Sequence, residues 1–237
     1  MTARRLLDVS YGSPAENLAC DEALLEELEA GAGEPALRFW ESPVHFVVLG
    51  YSNAIAAEVN RTECERRGIP ILRRSSGGGA VLQGPGCLNY NLTLPITEET
   101  ASITDTNCFV MRRNRDALRK ALGREVEIKG HTDLAIGGVK FSGNAQRRKS
   151  KALVFHGCFL LNFDLELMAA ALAHPSKEPD YRAGRAHGEF VTNLGVGAEV
   201  VKAVLREAWS ATETRSAPDI ERLVRERYAN RAWNEKF

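Results

Sequence analysis

The spacing of apolar positions changes along the chain and separates helices from strands. Ser13-Pro14-Ala15-Glu16 is a capping box with proline at the first helical position. It predicts a helix with Leu18, Leu25 and Leu28 on one face, ended by Gly31. Leu37–Trp40 and His45–Leu49 read as strands around Pro43. Arg61–Arg67 reads as a short polar helix and Ile69–Arg73 as a short strand. Leu88–Leu94 alternates strictly, with Leu88, Tyr90, Leu92 and Leu94 on one face and Asn89, Asn91 and Thr93 on the other. That pattern predicts a half-buried strand with a polar side. Asn107–Leu122 predicts a helix that carries several arginines.

Asp133–Ser142 reads as a hairpin around Gly137-Gly138, a pair suited to a two-residue primed turn. The predicted register sets Ile136 against Val139, Ala135 against Lys140, Leu134 against Phe141 and Asp133 against Ser142. Leu134, Ile136, Val139 and Phe141 then form the core face. Asp133, Ala135, Lys140 and Ser142 form the other, and diagonal neighbours on one face lie within a lysine's reach. Lys151–Phe163 predicts a long strand with Leu153, Phe155, Phe159, Leu161 and Phe163 on one face. Val154, His156, Cys158, Leu160 and Asn162 lie on the other. Asp164 caps a helix over Leu165–Leu172. Val201, Val204, Leu205 and Ala208 mark one closing helix; Ile220, Leu223, Val224 and Tyr228 mark another. Strands that pair as hairpins, with helices inserted between them, predict an α+β fold: a mixed, largely antiparallel sheet flanked by helices. The longest candidate loop is Ala173–Gly197, rich in Pro, Gly, Arg and His, and loops of that length are usually functional. Nothing near it reads as a linker, so one domain over 1–237 is expected.

Composition narrows the functional classes. Of 237 residues, 44% are apolar and 26% charged, as in an ordinary globular protein with a sizeable core. Lys plus Arg and Asp plus Glu both number 31, so the formal net charge is zero. Zero balance argues against bulk electrostatic binding to nucleic acid or an anionic membrane. No apolar run approaches a bilayer span and no apolar leader opens the chain. The five cysteines (Cys20, Cys64, Cys87, Cys108, Cys158) include no CxxC pair. A reduced, cytoplasmic protein is expected, with thiols acting mostly as small hydrophobes.

Three stretches carry candidate chemistry. Arg73-Arg74-Ser75-Ser76-Gly77-Gly78-Gly79-Ala80 follows a strand. Its glycines let backbone N–H groups converge on an anion, and Arg74 and Ser76 add a cation and a hydroxyl. It is neither GxGxxG nor GxxxxGK[ST], so dinucleotide and P-loop readings fail. The alternative is a flexible surface loop. Lys140-Phe141-Ser142-Gly143 offers a point charge for a phosphate and for an oxygen on which charge develops. The alternative is a solvated lysine. His156 and Cys158 share a strand face, which suits a base and a thiolate nucleophile. The alternative is a buried thiol beside a hydrogen-bonded histidine. The helix arginines Arg112, Arg113, Arg115 and Arg119 read as a solvated face, and Trp40, Trp209 and Trp233 as packing aromatics.

Together these segments resemble the lipoate–protein ligase family, within the wider biotin/lipoate ligase fold. Asn17-Leu18-Ala19-Cys20-Asp21-Glu22 is similar to the family's first-helix pattern. Arg73 to Val81 is similar to its RRxSGGGAV signature, followed by Asn89-Tyr90-Asn91. Asp133-Leu134 and Gly138-Val139-Lys140-Phe141-Ser142-Gly143-Asn144-Ala145 resemble its lysine segment. His156-Gly157 and Val191-Thr192-Asn193-Leu194 resemble later elements. The resemblance covers nearly the whole chain.

The resemblance implies a class II synthetase-like catalytic domain and a two-step reaction. ATP and lipoate give lipoyl-adenylate and pyrophosphate, and the acyl group then passes to a lysine of an apo lipoyl carrier domain. It implies Lys140 as the catalytic residue. Arg74, Ser76, Gly77, Gly78, Gly79, Ala80, Asn89, Gly143, Asn144 and His156 would line the lipoyl and adenylate pocket. Asp133 would orient Lys140 or hold Mg²⁺. The chain departs from the family at Gln83 and Gly84, where His and Asp often stand. It stops soon after Trp233-Asn234, near where the catalytic domain of such ligases ends, so the resemblance implies an accessory function that is either a separate small protein or absent. Related acyl transferases in this fold use a catalytic cysteine instead of ATP. At their two cysteine positions this chain carries Gly130-His131-Thr132 and Ala173-His174-Pro175-Ser176-Lys177. An ATP-dependent ligase is therefore expected. A cysteine-based octanoyl or lipoyl transferase and a lipoate-binding partner without turnover are the alternatives, and a biotin ligase is disfavoured by the pattern of the glycine loop.

Overall fold

The computed structural model describes residues 4–214 and 216–237. Met1–Ala3, where the absence of a leader was expected, and Arg215 lie outside the described residues. The strands are β1 (Arg4–Asp8), β2 (Ala36–Trp40), β3 (Phe46–Leu49), β4 (Ile71–Arg73), β5 (Val81–Gln83), β6 (Cys87–Pro95), β7 (Glu127–Lys129), β8 (Asp133–Ile136), β9 (Val139–Arg148), β10 (Ala152–Leu160) and β11 (Ala211–Thr214). The helices are α1 (Pro14–Glu29), α2 (Ile55–Glu58), α3 (Arg61–Arg67), α4 (Ile103–Leu122), α5 (Leu165–Ala171), α6 (His187–Phe190), α7 (Ala198–Ala208), α8 (Glu221–Leu223) and α9 (Arg231–Asn234).

Among the described residues, eight strands form one sheet in the order β11-β1-β2-β6-β10-β9-β8-β7. The strand β1 runs parallel to both of its neighbours, and the remaining pairs are antiparallel. A second sheet, β4-β3-β5, has one parallel and one antiparallel pair. This is the mixed, largely antiparallel α+β architecture expected from the pattern.

Helix α1 starts on its capping box, with Ser13 Oγ accepting from Glu16 N and Glu16 Oε2 accepting from Ser13 N at 3.1 Å. It ends at Ala30, and Gly31 follows with φ +72°. Its expected single apolar face is not what is seen: every residue from Asn17 to Leu25 is buried. Leu18, Ala19 and Ala23 pack with Phe46, Val48 and Leu72 of the small sheet, and Leu25 packs with Ala152 and Val154 of the large one. The helix is therefore a middle layer. That layer also explains why β6 is buried along its length and not only on one side. Its polar row lies under α1, where Asn91 Nδ2 donates to Asp21 O at 3.3 Å.

Four further departures have local causes. The strands around Pro43 do not pair, because 41–45 carries the chain from the large sheet to the small one. In the β8–β9 hairpin, Ala135 faces Lys140 as expected, but the register slips between Leu134 and Ala135, so Leu134 faces Ser142. The extra residue is a β-bulge, which re-aims the chain at Phe141. Strand β9 then continues to Arg148 beside β10. Strand β10 stops at Leu160, and Phe163 packs with Leu160 and Leu167 instead of with Phe159. Helix α4 begins at Ile103, ahead of Asn107, on a Ser102–Asp105 capping box. Asp164 caps α5 as expected, accepting from Leu167 N at 2.8 Å.

Candidate active site

A cavity of about 850 Å³ opens between the two sheets. Its apolar end is walled by Leu18, Trp40, Val48 and Val81, and its polar end by Lys140, Asp133 and the 173–191 segment. Of the expected site residues, Arg74, Gly78, Gly79 and Ala80 reach it from the loop between β4 and β5, and Asn89 from β6. Asp133 reaches it from β8, Lys140, Gly143 and Asn144 from β9, and His156 from β10. Ser76 stands behind this wall, and Gly77 is outside the lining altogether.

The glycine loop is organised from within. Arg74 is 7% exposed. It donates to Ser76 Oγ at 3.0 Å, to Gly77 O at 2.6 Å, to Gly79 O at 2.8 Å and to Val48 O at 3.3 Å. Its guanidinium is thus spent on shaping the loop, and burial lowers its pKa to about 10. Gly78 has φ +89°, and a Cβ there would meet Arg74 Nη2 at 2.8 Å, so glycine is required on both counts. Among the described residues, the Gly77, Gly78 and Gly79 N–H groups donate to no protein acceptor. Arg73 anchors the same loop from below, donating to Gly50 O at 3.0 Å and Asn53 O at 2.7 Å.

Ser76 Oγ lies 2.6 Å from His156 Nε2. Burial, with Arg74 close by, lowers the His156 pKa to about 3, so the imidazole is neutral. The ring is bonded to Ser76 and not to Cys158, so the pair is the buried thiol beside a hydrogen-bonded histidine that stood as the alternative to a nucleophile and its base. Cys158 instead accepts the Cys87 S–H, and with Lys140 near, its thiol is held below the ordinary value. Cys87 is driven up by that bond and by burial.

Lys140 Nζ lies 2.8 Å from Asp133 Oδ1, within the reach expected of the two residues, although the bulge sets Leu134 and not Asp133 opposite Ser142. Gly143 makes room for it: a Cβ there would sit 2.7 Å from Nζ. The second carboxylate oxygen of Asp133 accepts the Tyr181 hydroxyl at 2.8 Å. Nothing in the spacing points to Tyr181, which comes from the long loop. That loop is not structureless. It holds a turn at Asp180–Arg182 and helix α6, and Thr192 N donates to Lys140 O at 2.8 Å. Among the described residues no three His, Cys, Asp or Glu side chains converge on a metal position. Asp133 is a lone carboxylate, a donor that suits a Mg²⁺ ion chiefly held by phosphate oxygens.

A second unforeseen feature is a buried polar relay. Trp209 Nε1 donates to Asn114 Oδ1 at 2.8 Å, and Asn114 Nδ2 donates to Tyr90 Oη at 3.1 Å. Tyr90 Oη donates to Asn144 Oδ1 at 2.6 Å, and Asn144 Nδ2 donates to Thr132 O at 2.6 Å. The relay crosses the core and fixes the turn before Asp133. Alternation in 88–94 places Tyr90 in the core, but says nothing of its hydroxyl.

Residues 13–208 match the family described as "Lipoyl protein ligase A/B catalytic domain". The chain is 33% identical over 163 residues to a "Putative lipoate-protein ligase A" of Aeropyrum pernix, covering 67% of this chain and 58% of that protein. It is 31% identical to an "Octanoyltransferase LipM" of Carboxydothermus hydrogenoformans over the full length of both. Among solved structures it resembles a lipoate-protein ligase A bound with ATP, at TM-score 0.84 and 25% identity over 99% of each chain. The fold also matches a Thermoplasma acidophilum protein described as a putative lipoate protein ligase with bound lipoic acid. There the TM-score is 0.84 and the identity 24% over all of both chains.

Proposed function

We propose that this chain, which belongs to the lipoyl protein ligase A/B catalytic domain family, is an ATP-dependent lipoate–protein ligase with 1–237 as one catalytic domain. Lipoate and MgATP would give lipoyl-adenylate and pyrophosphate, and the lipoyl group would pass to a lysine of an apo lipoyl carrier domain. The carrying observation is the Lys140–Asp133 ion pair at the polar end of a cavity whose other end is apolar. An acyl chain with a terminal carboxylate has that polarity. Its chain lies along Leu18, Trp40, Val48 and Val81, and its carboxylate meets Lys140.

Lys140 then neutralises charge on the carboxylate and on the α-phosphate, the two groups that repel each other as the C–O–P bond forms. Arg74 holds the glycine loop so that the unspent Gly78 and Gly79 N–H groups face incoming oxygens. Asn89, Asn144 and His156 add neutral polar contacts along the acyl path. Asp133 keeps Lys140 in place and is the carboxylate suited to the Mg²⁺ that accompanies ATP. The similarity to a ligase structure described with ATP supports the nucleotide. A separate small accessory protein is a proposed partner alongside the carrier domain, in the reduced cytoplasm.

The second reading is an ATP-independent octanoyl or lipoyl transferase, favoured by the full-length match to an octanoyltransferase and by Cys158 in the cavity wall. Pyrophosphate release from purified protein with ATP, Mg²⁺ and lipoate separates them, with an apo lipoyl domain added in parallel. Release with carrier lipoylation supports the complete ligase, and release without it supports an accessory partner. Acyl exchange from an octanoylated carrier without ATP overturns the ligase reading.

A further inference from the structure

Two of the five cysteines meet each other. Strands β6 and β10 pair antiparallel, with Cys158 opposite Asn89 and Leu160 opposite Cys87. Residues two apart share a strand face, so Cys87 and Cys158 are diagonal neighbours on one face. Both belong to the apolar cluster that also holds Leu160, Phe163 and Met168. The Cys87 S–H donates to the Cys158 sulfur. Cys20, Cys64 and Cys108 lie in α1, α3 and α4, and all five are free thiols.

The two partners are not equivalent. Cys87 has no exposed surface, whereas Cys158 is 7% exposed and lines the cavity. Besides the Cys87 S–H, Cys158 accepts the Gly143 N–H, and Lys140 and Arg74 stand near, so its thiol is held below the ordinary value although burial opposes this. The same bond and burial push Cys87 well up, and burial raises Cys20 to about 11 and Cys64 also. A thiol that favours its thiolate, opens on a cavity and touches a second thiol has the three features of an oxidation-sensitive cysteine with its resolving partner.

Diagonal Cα atoms lie about 7–8 Å apart and a relaxed disulfide spans up to about 6.8 Å, so closing the pair draws the strands together by about 1 Å. Cys87 is the first residue of β6 and follows Gly84-Pro85-Gly86. The movement therefore falls at a strand end and not in the middle of the ladder.

We propose that Cys158 and Cys87 are an oxidative modification site, at which a hydroperoxide entering the cavity converts the two thiols into a disulfide in its wall. The Cys158 sulfur attacks one peroxide oxygen and breaks the O–O bond, giving Cys158 sulfenic acid, and the other oxygen leaves with the thiol proton as water. The Cys87 sulfur then attacks the Cys158 sulfur. The S–O bond breaks as the S–S bond forms, and the hydroxide leaves with the Cys87 proton as a second water. Two thiols lose two electrons, and one hydrogen peroxide is reduced to two waters.

The full chain, reduced and then freed of reductant, is treated with stoichiometric hydrogen peroxide, blocked with an alkylating reagent and mapped by mass spectrometry of its non-reduced peptides. Wild type is expected to lose two hydrogens, to yield a peptide pair joined through Cys87 and Cys158, and to lose that link on addition of dithiothreitol. Cys87→Ser should stop at Cys158 sulfenic acid, captured as its dimedone adduct, and pass to sulfinic acid with more peroxide because no thiol resolves it. Cys158→Ser should form no link and leave Cys87 reduced. Circular dichroism before mapping reports the fold of each protein, and Cys87→Ala replaces a serine variant that does not fold. Oxidation confined to Cys108, which is exposed on α4, with Cys158 still a thiol, overturns the proposal. So does Cys158 sulfenic or sulfinic acid in wild type without a link to Cys87. None of these readouts needs ATP or lipoate, so the outcome is independent of the ligase reading.

Discussion

Tyr181 donates its hydroxyl to Asp133 Oδ2 at 2.8 Å, across 48 positions of sequence, while the other oxygen of Asp133 holds Lys140. One carboxylate therefore ties the long loop to the lysine segment. Burial and Asp133 raise the Tyr181 pKa, so the hydroxyl keeps its proton and remains a donor. Hydrogen bonds to charged acceptors contribute about 1.5–3 kcal/mol. Tyr181→Phe should accordingly free the loop, raising its open population by about tenfold or more. Limited trypsin digestion at Lys177, Arg182 and Arg185 reads that population directly. Cleavage no faster than in wild type would mean that the contacts of Phe190 and Thr192 hold the loop without Tyr181.

The Lys140 side chain is 26% exposed and its carboxylate partner 13%, so solvent screens the pair and its contribution to stability is small. Its contribution to chemistry should be large. Lys140→Ala is expected to lower pyrophosphate release by about 10²–10³, the usual worth of one preorganised charge-stabilising donor. Melting temperature should hardly move. Gly143→Ala attacks the same lysine from another side, since a Cβ would lie 2.7 Å from Nζ. It should cost at least about tenfold in the same assay with the fold intact, as circular dichroism would record. Normal adenylate formation by Lys140→Ala would falsify its assignment.

The relay from Trp209 to Thr132 makes Tyr90 a support for the site and not a core aromatic only. Tyr90→Phe keeps the ring and strands Asn114 Nδ2 and Asn144 Oδ1. Leaving buried polar groups unpaired costs about 1–3 kcal/mol each. For a chain of this size, each kcal/mol shifts the melting temperature by about 2–4 °C. A drop of that order is expected in calorimetry, together with lower activity, because Asn144 then holds Thr132 less firmly. Unchanged melting would mean that water replaces the hydroxyl.

Much of the site's plan is legible in the sequence, and the limits have physical causes. The Gly137-Gly138 turn set Ala135 against Lys140, and that brought Lys140 to Asp133. The bulge two residues later was not legible, because an extra residue leaves the apolar count unchanged and only shifts what faces what. Helix α1 looked amphipathic because leucines are easy to see, whereas its burial on all sides rests on Asn17, Asp21 and Glu22 finding partners. Arg38 donates to Asn17 Oδ1 and Asp21 Oδ1, and Tyr228 to Glu22 Oε2. Such partners are 17 to 206 positions away, and periodicity carries no information over that range. The same distance hid Tyr181. The Ser102–Asp105 cap, by contrast, was a local signal open to reading.

The neutral His156 makes a pH prediction with a definite sign. Its folded pKa, about 3, lies below the ordinary value of 6.5. In the unfolded chain the ring takes up a proton as pH falls through that ordinary value, and in the folded protein it does not. Its stabilising contribution is thus complete above about pH 6.5 and is lost as pH falls toward 3. The slope from this group is at most about 1.4 kcal/mol per pH unit. Chemical denaturation between pH 4 and 7 should show a shallower dependence in His156→Gln than in wild type. Parallel curves for the two proteins would contradict the depressed value.

Cys158 decides between the two chemistries that this fold supports. Nucleophilic use of a thiol needs a base in reach or a persistent thiolate, and access to an acyl carbon. The thiol has the cavity, and the hydrogen bond from Cys87, with Lys140 near, holds its pKa below the ordinary value. It lacks an effective base, because burial and Arg74 lower the His156 pKa to about 3 and its ring is bonded to Ser76 at 2.6 Å. Its own neighbour is a second thiol, Cys87, that donates a proton and takes none away. Cys158→Ser changes sulfur to oxygen at nearly constant volume, and in an adenylate mechanism the reacting carbon never bonds to that atom. The variant should therefore form adenylate and lipoylate a carrier within about threefold of wild type, as followed by pyrophosphate release and by the mass of the carrier. Loss beyond about tenfold with the melting temperature preserved would move the acyl group onto sulfur and make the ATP-independent transferase the better account.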